Sequence, residues 1–322
     1  MNLYNNYKLI WHCNNKSRNI RRMKKTIKSY LNGKPLQYDN AGNMYIGDFT
    51  KPKPCLVAHL DSVHDKVGEV TILSGDILTS TGGIGGDDKC GLVACLEARK
   101  YCDINILFTV DEEVGGIGAG QVNKKLLENV MYFIEIDRKG HGDLITNLVY
   151  GVKSISEPML YKLKPFMQGF GFKETDGLYT DLCDILPEVK KCGMNISAGY
   201  YQPHTNKGYV VLSELQNTIN FVIEVCNNIR ESFELEIKEF VWLEDDYTLV
   251  PDGELNDDFL IGDLHTINSL EELREYVLCL KDGYALNELI NTAYDLGYKD
   301  READLVFDLE FADNDLKLTR RV

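Results

Sequence analysis

Apolar positions in the first 232 residues follow two rhythms. Short unbroken apolar runs alternate with stretches in which apolar residues return every third or fourth position. The first rhythm fits strands buried on both faces, and the second fits helices with one buried face. Residues from about Ser17 to Tyr30 read as a helix ended by "NGKP". "LQYDNAGNMYIGDF" alternates around turn signals at Asn40 and Gly42, which predicts a hairpin. "KPCLVAHLDSV" is a buried-strand run. "GDILTSTGGIGG" is a strand leading into a glycine loop, and "DKCGLVACLEARKYC" has helical spacing. "INILFTVDEE" is a buried strand ending on carboxylates. "AGQVNKKLLENV" reads as helical, and "MYFIEIDRKG" as a strand ending on Asp137. "MNISAGYYQPHT" reads as a strand ending on His204, and "VLSELQNTINFVIEVCNNIRESF" as a long amphipathic helix. Strands alternating with helices predict an α/β three-layer sandwich with a mostly parallel central sheet.

The pattern changes near residue 238, where a second unit is expected, dividing the chain into 1–237 and 238–322. "KEFVWLEDDYTLVPDGEL" holds a strand-like stretch and turns. "SLEELREYVLCL" and "ALNELINTAYDLGY" read as amphipathic helices, the first opening on a capping-box pattern from Ser269 to Glu272. "READLVFDLEFADNDLKL" alternates like a strand, and its carboxylates miss the EF-hand pattern.

Charge sharpens this division. The net charge of −15 belongs to the end of the chain: Phe233 to Val322 carry 24 acidic and 8 basic residues, leaving 26 acidic and 27 basic before them. The acidic unit therefore predicts a solvated face, or a docking surface for a basic partner or for self-association. The basic run between Lys8 and Lys34 reads as a solvated helix face, and no motif or aromatic interleaving supports nucleic-acid binding. No apolar run approaches the length of a membrane span, and the amino-terminal residues lack a secretory h-region. Nine cysteines without a CxxC pair predict free thiols in a reducing cytoplasm.

The candidate chemistry starts at "GGIGGDDKCG", Gly82 to Gly91. Lys89 precedes Cys90, so the P-loop ending is absent, and Asp88 stands where a dinucleotide loop needs its third glycine. Two adjacent anions call for a cation instead of a phosphate. His59, Asp87, Glu112, Glu113, Asp137 and His204 all fall at predicted strand ends or just beyond. In a parallel α/β sheet that is where one crevice forms. Asp61, two residues after His59, is placed to take the second ring nitrogen of a ligating histidine. Asp87 can bridge two ions. On one turn, Glu112 and Glu113 can divide the roles of base and ligand. Nitrogen and oxygen donors without thiolates suit zinc, and also manganese or cobalt. A two-metal site activates water and polarises a carbonyl, so hydrolysis of an amide bond is the expected reaction, with Glu112 as general base.

"VAHLDSV", "GGDDKCG", "TVDEEVGGIGA", "IEIDRKG" and "PHT" resemble, in this order, the motifs of the co-catalytic dizinc exopeptidases, the clan of leucyl and glutamyl aminopeptidases, peptidase T and the acylase-like carboxypeptidases. The resemblance covers about residues 8–232. It implies a zinc-peptidase fold, with one zinc held by His59 and Asp137, the other by Glu113 and His204, and Asp87 bridging. It also implies Asp61 behind His59, Glu112 as catalytic base, and a cis peptide between Asp87 and Asp88. Only 66 residues separate Asp137 from His204, and only 25 separate Asp61 from Asp87, so the inserted lid domains of many members are not expected. "ETDGLYTDLCDI" resembles the acidic segment before the last strand of such enzymes. It leaves Asp181 as either a residue behind the metal ligands, an amine-binding group or part of a surface loop. The expected activity is that of an aminopeptidase on short peptides. The alternatives are a deacylase of N-acyl amino acids and a non-catalytic binding module on the same fold.

Overall fold

The apolar runs form the middle of an eight-stranded sheet. The computed structural model describes residues 3–235 apart from 17–19, 32, 34, 65, 149–152 and 178. Beyond 235 it describes only the backbone of 241–243, 246–250, 308–312 and 315–319. Short helices α1 (Leu3–Asn6) and α2 (Lys8–Trp11) precede α3 (Ile20–Tyr30) and the hairpin β1 (Leu36–Tyr38) and β2 (Met44–Ile46). Then come β3 (Lys53–His59), β4 (Val70–Leu73), β5 (Ile77–Ser80), α4 (Gly86–Ala98) and β6 (Asn105–Thr109). They are followed by α5 (Lys124–Leu127), β7 (Val130–Arg138), β8 (Asp143–Ile145), α6 (Glu157–Phe170) and β9 (Lys173–Thr175). The unit closes with α7 (Asp181–Val189), β10 (Gly193–Ser197), β11 (Tyr200–Tyr201), β12 (Tyr209–Val211) and α8 (Leu212–Asn228).

The main sheet runs β1-β2-β6-β3-β7-β10-β8-β9, and its central strands β6, β3, β7 and β10 are mutually parallel. From β3 the chain crosses through α4 to β6 on one side. From β7 it travels to β10 on the other side. Right-handed crossovers in opposite directions place their helices on opposite faces, with α4 packed on β3 and β7 and α7 packed on β10. The strand order therefore reverses between β3 and β7. Beyond their carboxyl ends a crevice opens, and this is where such sheets hold ligands. A second, antiparallel sheet, β11-β12-β5-β4, carries the glycine loop on one strand and the approach to His204 on another.

Helix α4 is buried on nearly all sides, which explains the apolar density of "CGLVACLEA". Its first turn is irregular. Gly85 has φ 61°, Asp87 and Asp88 are non-helical, and the bond between them is cis. The carboxylate of Asp88, fully buried, accepts the Gly91 N–H at 2.8 Å and the His59 N–H at 3.2 Å. It thus caps α4 and pins the end of β3 to it.

The segment from Tyr7 to Asn15 threads through the core. The Tyr7 hydroxyl donates to Glu97 at 2.7 Å. The ammonium of buried Lys89 donates to the carbonyls of Trp11 and Ile84, and burial lowers its pKa to about 7. Asn15 donates to the carbonyls of Leu60 and Asp61. The apolar rhythm marks neither α1 nor α2, because both are single turns.

Two expectations are corrected. "AGQVNKKLLENV" forms a 3₁₀ turn, Ala119–Gln121, and the short α5. The strand expected to end on His204 breaks at Gly199, whose φ of 76° turns the chain. His204 lies in the turn between β11 and β12, itself at φ 58°. Strands β4, β8 and β9 are too short for a rhythm to be read, and helix α6, with Met159, Leu160, Leu163 and Met167 buried at helical spacing, is not among the expected elements.

The chain folds as two compact units, Met1–Ile237 and Lys238–Val322. In the second, β13 (Val241–Leu243) pairs with β14 (Asp246–Val250), and β15 (Asp308–Ala312) with β16 (Asp315–Thr319), both antiparallel. The helices expected within 269–298 lie outside the described residues.

The tight first turn of α4 gives a test. A Cβ on Gly91 would sit 2.3 Å from Asp88 Oδ2 and 2.5 Å from the Ile136 carbonyl oxygen. Despite alanine's better helix propensity, Gly91→Ala should lower the unfolding free energy by about 1–3 kcal/mol, measurable by urea denaturation.

Candidate active site

Five segments meet at the crevice. His59 is the last residue of β3, Asp137 is near the end of β7, and Asp87 stands at the kinked start of α4. Glu112 and Glu113 open a 3₁₀ turn, Glu112–Val114, three residues after β6, and His204 comes from the β11–β12 turn.

Asp87 stands at the centre. Its Oδ1 lies 2.8 Å from His59 Nε2, and its Oδ2 lies 3.3 Å from His204 Nε2. The two oxygens of one carboxylate thus face two imidazoles on different elements. His59 Nε2 is also 3.6 Å from Asp137 Oδ1 and 4.0 Å from Glu112 Oε2. His204 Nε2 is 3.0 Å from Glu113 Oε2. On the far side of the first ring, Nδ1 of His59 lies 3.6 Å from Asp61 Oδ1. The structure brings together all seven residues singled out from the sequence. Potential ligand atoms of His59, Asp87 and Glu113 lie within 4.8 Å of one another, as do those of His59, Asp88 and Asp137.

Each side chain is held from behind. The two oxygens of buried Asp61 accept the N–H groups of Glu112 and Glu113, both at 3.2 Å. One carboxylate thereby faces the His59 ring and fixes the acidic turn. Asn43, buried in the turn between β1 and β2, accepts the Val110 N–H and donates to the Gly118 carbonyl, which clamps both ends of that loop. Asp111, at φ 57°, precedes the turn. This conformation and that of His204 are costly for residues with a Cβ and gather at functional sites. Asp137 accepts the Tyr200 hydroxyl at 3.1 Å, and Asn195 bonds both its N–H and its carbonyl.

The electrostatics are lopsided. Burial works against a charge on Asp87, but hydrogen bonds from His204 and His59 outweigh it and hold the carboxyl well below its ordinary range. Burial and the Asp87 charge lift Asp137 to about 7. Burial also raises Glu112 well above the usual carboxyl range, and raises Glu113, with Asp87 adding to the latter. Burial disfavours charge on the two imidazoles. The carboxylates reverse this, pushing His59 well up and His204 up to about 12. Glu113 Oε1 is buried without a hydrogen bond. A site with this many acids, two nitrogen donors and a shared carboxylate has the donor set and the charge demand of a divalent-cation centre.

Four participants carry little signal of their own in the sequence. Asp88 is overshadowed by its neighbour. Glu135 lies two residues before Asp137 on the same face of β7, is fully buried, and has one oxygen without a partner. The "EID" spacing holds that signal. Tyr200 and Asn195 leave none beyond proximity to His204. Asp181 proves to be no surface residue. It is fully buried as the first residue of α7, hydrogen-bonded to the Thr109 hydroxyl, with its other oxygen unpartnered. It also raises the carboxyl of Glu112.

No family model matches the chain, and no curated protein matches it. Solved structures do. The aminopeptidase PepT from Bacillus cereus superposes with a TM-score of 0.61 at 13% identity, over 70% of this chain and 97% of its own. A tripeptidase from Staphylococcus aureus gives 0.58 at 15%, over 70% and 96%. The TET1 peptidase of Pyrococcus horikoshii, which can assemble into a tetrahedron or a large octahedral shell, gives 0.55 at 15%, over 70% and 100%. The chain has the fold of these peptidases, in agreement with the exopeptidase resemblance of its motifs.

Asp181 carries a pH prediction. Burial raises its carboxyl to about 7, against about 3.9 in an unfolded chain. Its protonated form therefore favours the fold. That contribution is complete below about pH 3.9 and is lost as pH rises through about 7. In the presence of chelator, Asp181→Asn should gain stability relative to the parent across this window, by at most about 1.4 kcal/mol per pH unit. Denaturant unfolding at several pH values checks this. A difference that does not change with pH would mean that Asp181 is ionised in the fold.

Proposed function

We propose that the chain is a metal-dependent aminopeptidase that hydrolyses short peptides in the crevice beyond β3 and β7. The observation that carries this reading is the Asp87 carboxylate, shared between His59 and His204. His59 and Asp137 would hold one cation, Glu113 and His204 the other, and Asp87 both. Zinc suits this donor set best, with manganese and cobalt as alternatives. Two such ions supply Lewis acidity for the scissile carbonyl and a nucleophilic water at neutral pH.

The protein's own groups do the rest. Glu112 approaches His59 without a closer ionic contact to it, and burial makes its carboxylate a stronger base than an exposed glutamate. Such a group can take a proton from the attacking water and return it to the departing amine. Asp61 keeps Glu112 and Glu113 in place through their N–H groups and steadies the His59 ring. Among the 66 residues between Asp137 and His204, the described ones form sheet strands and their helices. A short peptide with a free amino terminus is the substrate that best matches the solved relatives of the fold. None of the eight described cysteines forms a disulfide, which suits a reducing cytoplasm.

Purified protein equilibrated with zinc and dialysed should hold close to two ions per chain by elemental analysis. A content that never exceeds one would remove the bridging role of Asp87. Glu112→Gln should cut turnover of peptide amides by about 10²–10⁴-fold with metal content unchanged, whereas Glu113→Gln should lose one ion. Faster hydrolysis of N-acyl amino acids than of free-amine peptides would reassign the enzyme as a deacylase.

The unit at 238–322 is proposed to act outside the chemistry, in self-association or in contact with a basic partner. All seven candidate residues precede it, and from Phe233 onward 24 acidic residues face only 8 basic ones. A chain ending at Ile237 should keep its metals and its activity on a dipeptide amide within a few-fold, while its mass by light scattering or its solubility changes. Loss of activity with metal retained would place substrate contacts in the second unit.

A further inference from the structure

After β10 the chain comes back along the segment that carries Asp137. Ser197 of β10 pairs with Arg138 of β7, and backbone hydrogen bonds continue past both strands. Ala198 donates to the Arg138 carbonyl, Gly199 to the Gly140 carbonyl, and Gly140 to the Tyr200 carbonyl. These bonds lay Tyr200, the first residue of β11, beside the end of β7. Across the hairpin whose turn holds His204, Tyr200 pairs with Val210.

Tyr200 is 4% exposed. The base of its side chain lies against Gly86, the residue before Asp87. A Cβ on Gly86 would sit 2.6 Å from the Tyr200 Cβ. Its hydroxyl donates to Asp137 Oδ1 at 3.1 Å, and that same oxygen faces His59 Nε2 at 3.6 Å. One buried residue therefore touches the Asp137 carboxylate and the backbone just ahead of Asp87, and belongs to the hairpin of His204.

The backbone of Asp137 is fixed by β7 and by Asn195, which bonds both its N–H and its carbonyl. Neither sets the rotation of the carboxylate about its last bond, a torsion that is broad for aspartate. A donated O–H does set it, and a hydrogen bond to a charged acceptor is about twice as strong as a neutral one. Metal-binding carboxylates depend on such partners, whose loss typically costs about 10–100-fold in affinity.

Given the pair of cation positions proposed above, on which this rests, we infer that Tyr200 is a positioning residue for the cation that His59 and Asp137 would hold. The phenol keeps Asp137 Oδ1 turned toward His59. It acts through that carboxylate and does not itself ligate the cation or meet substrate. Its single hydroxyl proton is committed to Asp137, so the position at Glu113 and His204 does not depend on it.

The test uses the full chain and zinc alone. Zinc affinity is read by competition with a chromophoric chelator, without substrate. Tyr200→Phe removes one oxygen and keeps the rest of the side chain, so its circular dichroism should match the parent's. One of the two zinc ions should be held about 10–100-fold more weakly, and the other as in the parent. Tyr201→Phe is the control. The Tyr201 hydroxyl donates to Glu214 at 2.7 Å, so both affinities should stay parental. In an Asp137→Asn background, Tyr200→Phe should cost no further affinity, because the group it acts through is already altered. A further loss of the same size there would mark a general loosening of the fold and overturn the inference. So would a Tyr200→Phe protein that holds both ions as tightly as the parent, or a Tyr201→Phe protein that weakens equally. A parent that binds two zinc ions and cleaves no peptide, with affinity still lost in Tyr200→Phe, would refute the aminopeptidase reading and support the role of Tyr200. A parent that binds no zinc would overturn both.

Discussion

Carboxylates crowded together repel one another, and this chain places eight of them, four buried and four half-buried, around two imidazoles. Asp61, Asp87, Asp88, Glu112, Glu113, Glu135, Asp137 and Asp181 all stand within electrostatic reach of His59 or of each other. Bringing such groups out of water is unfavourable unless each finds a donor or a countercharge. The local architecture follows from that demand. Asp88 takes two N–H groups at the junction of β3 and α4, Asp61 takes two from the acidic turn, and Asp181 takes a hydroxyl from the end of β6. What backbone and hydroxyl groups leave unmet falls to the histidines and to whatever cations enter.

The sheet supplies the place where this concentration of charge can be tolerated. Strand order reverses between β3 and β7, so no crossover covers the ends of these two strands. Val57 pairs with Glu135 and His59 with Thr109, which sets the functional side chains of three strands in adjacent rows. Antiparallel β5 and β12 then bring the glycine loop and the His204 turn toward the same edge. Strands carry His59 and Asp137, the kinked start of α4 carries Asp87, and two turns with left-handed residues carry Glu112, Glu113 and His204.

Much of this is legible in the sequence because its signals are short and local. A buried strand that ends on His, Asp or Glu declares both its fold and its position at the crevice, as in "LVAHLD" and "FIEIDR". The glycines around Asp87 announce an irregular entry to a helix. Other features depend on partners distant in the chain and leave no local trace. Asp181 stands in an acidic stretch that leaves it open between site and surface, and only the packing of α7 against Thr109 shows that it is buried. The break at Gly199 is invisible because "MNISAGYY" keeps its apolar character through the turn. The one-turn helices α1 and α2 are stabilised by burial against later elements, not by their own propensity.

The early segment that threads the core bears on the order in which the fold assembles. Tyr7, Trp11 and Asn15 meet partners 45 to 90 positions downstream. None of these contacts can form while the first strand alone has been made. Closing loops of that length precedes the reward from the contacts they allow, and chains rich in such pairings fold slowly. During synthesis, then, these groups are made well before the partners that satisfy them. The apolar side chains of Tyr7, Ile10 and Trp11, fully buried at the end, spend that interval exposed to other chains.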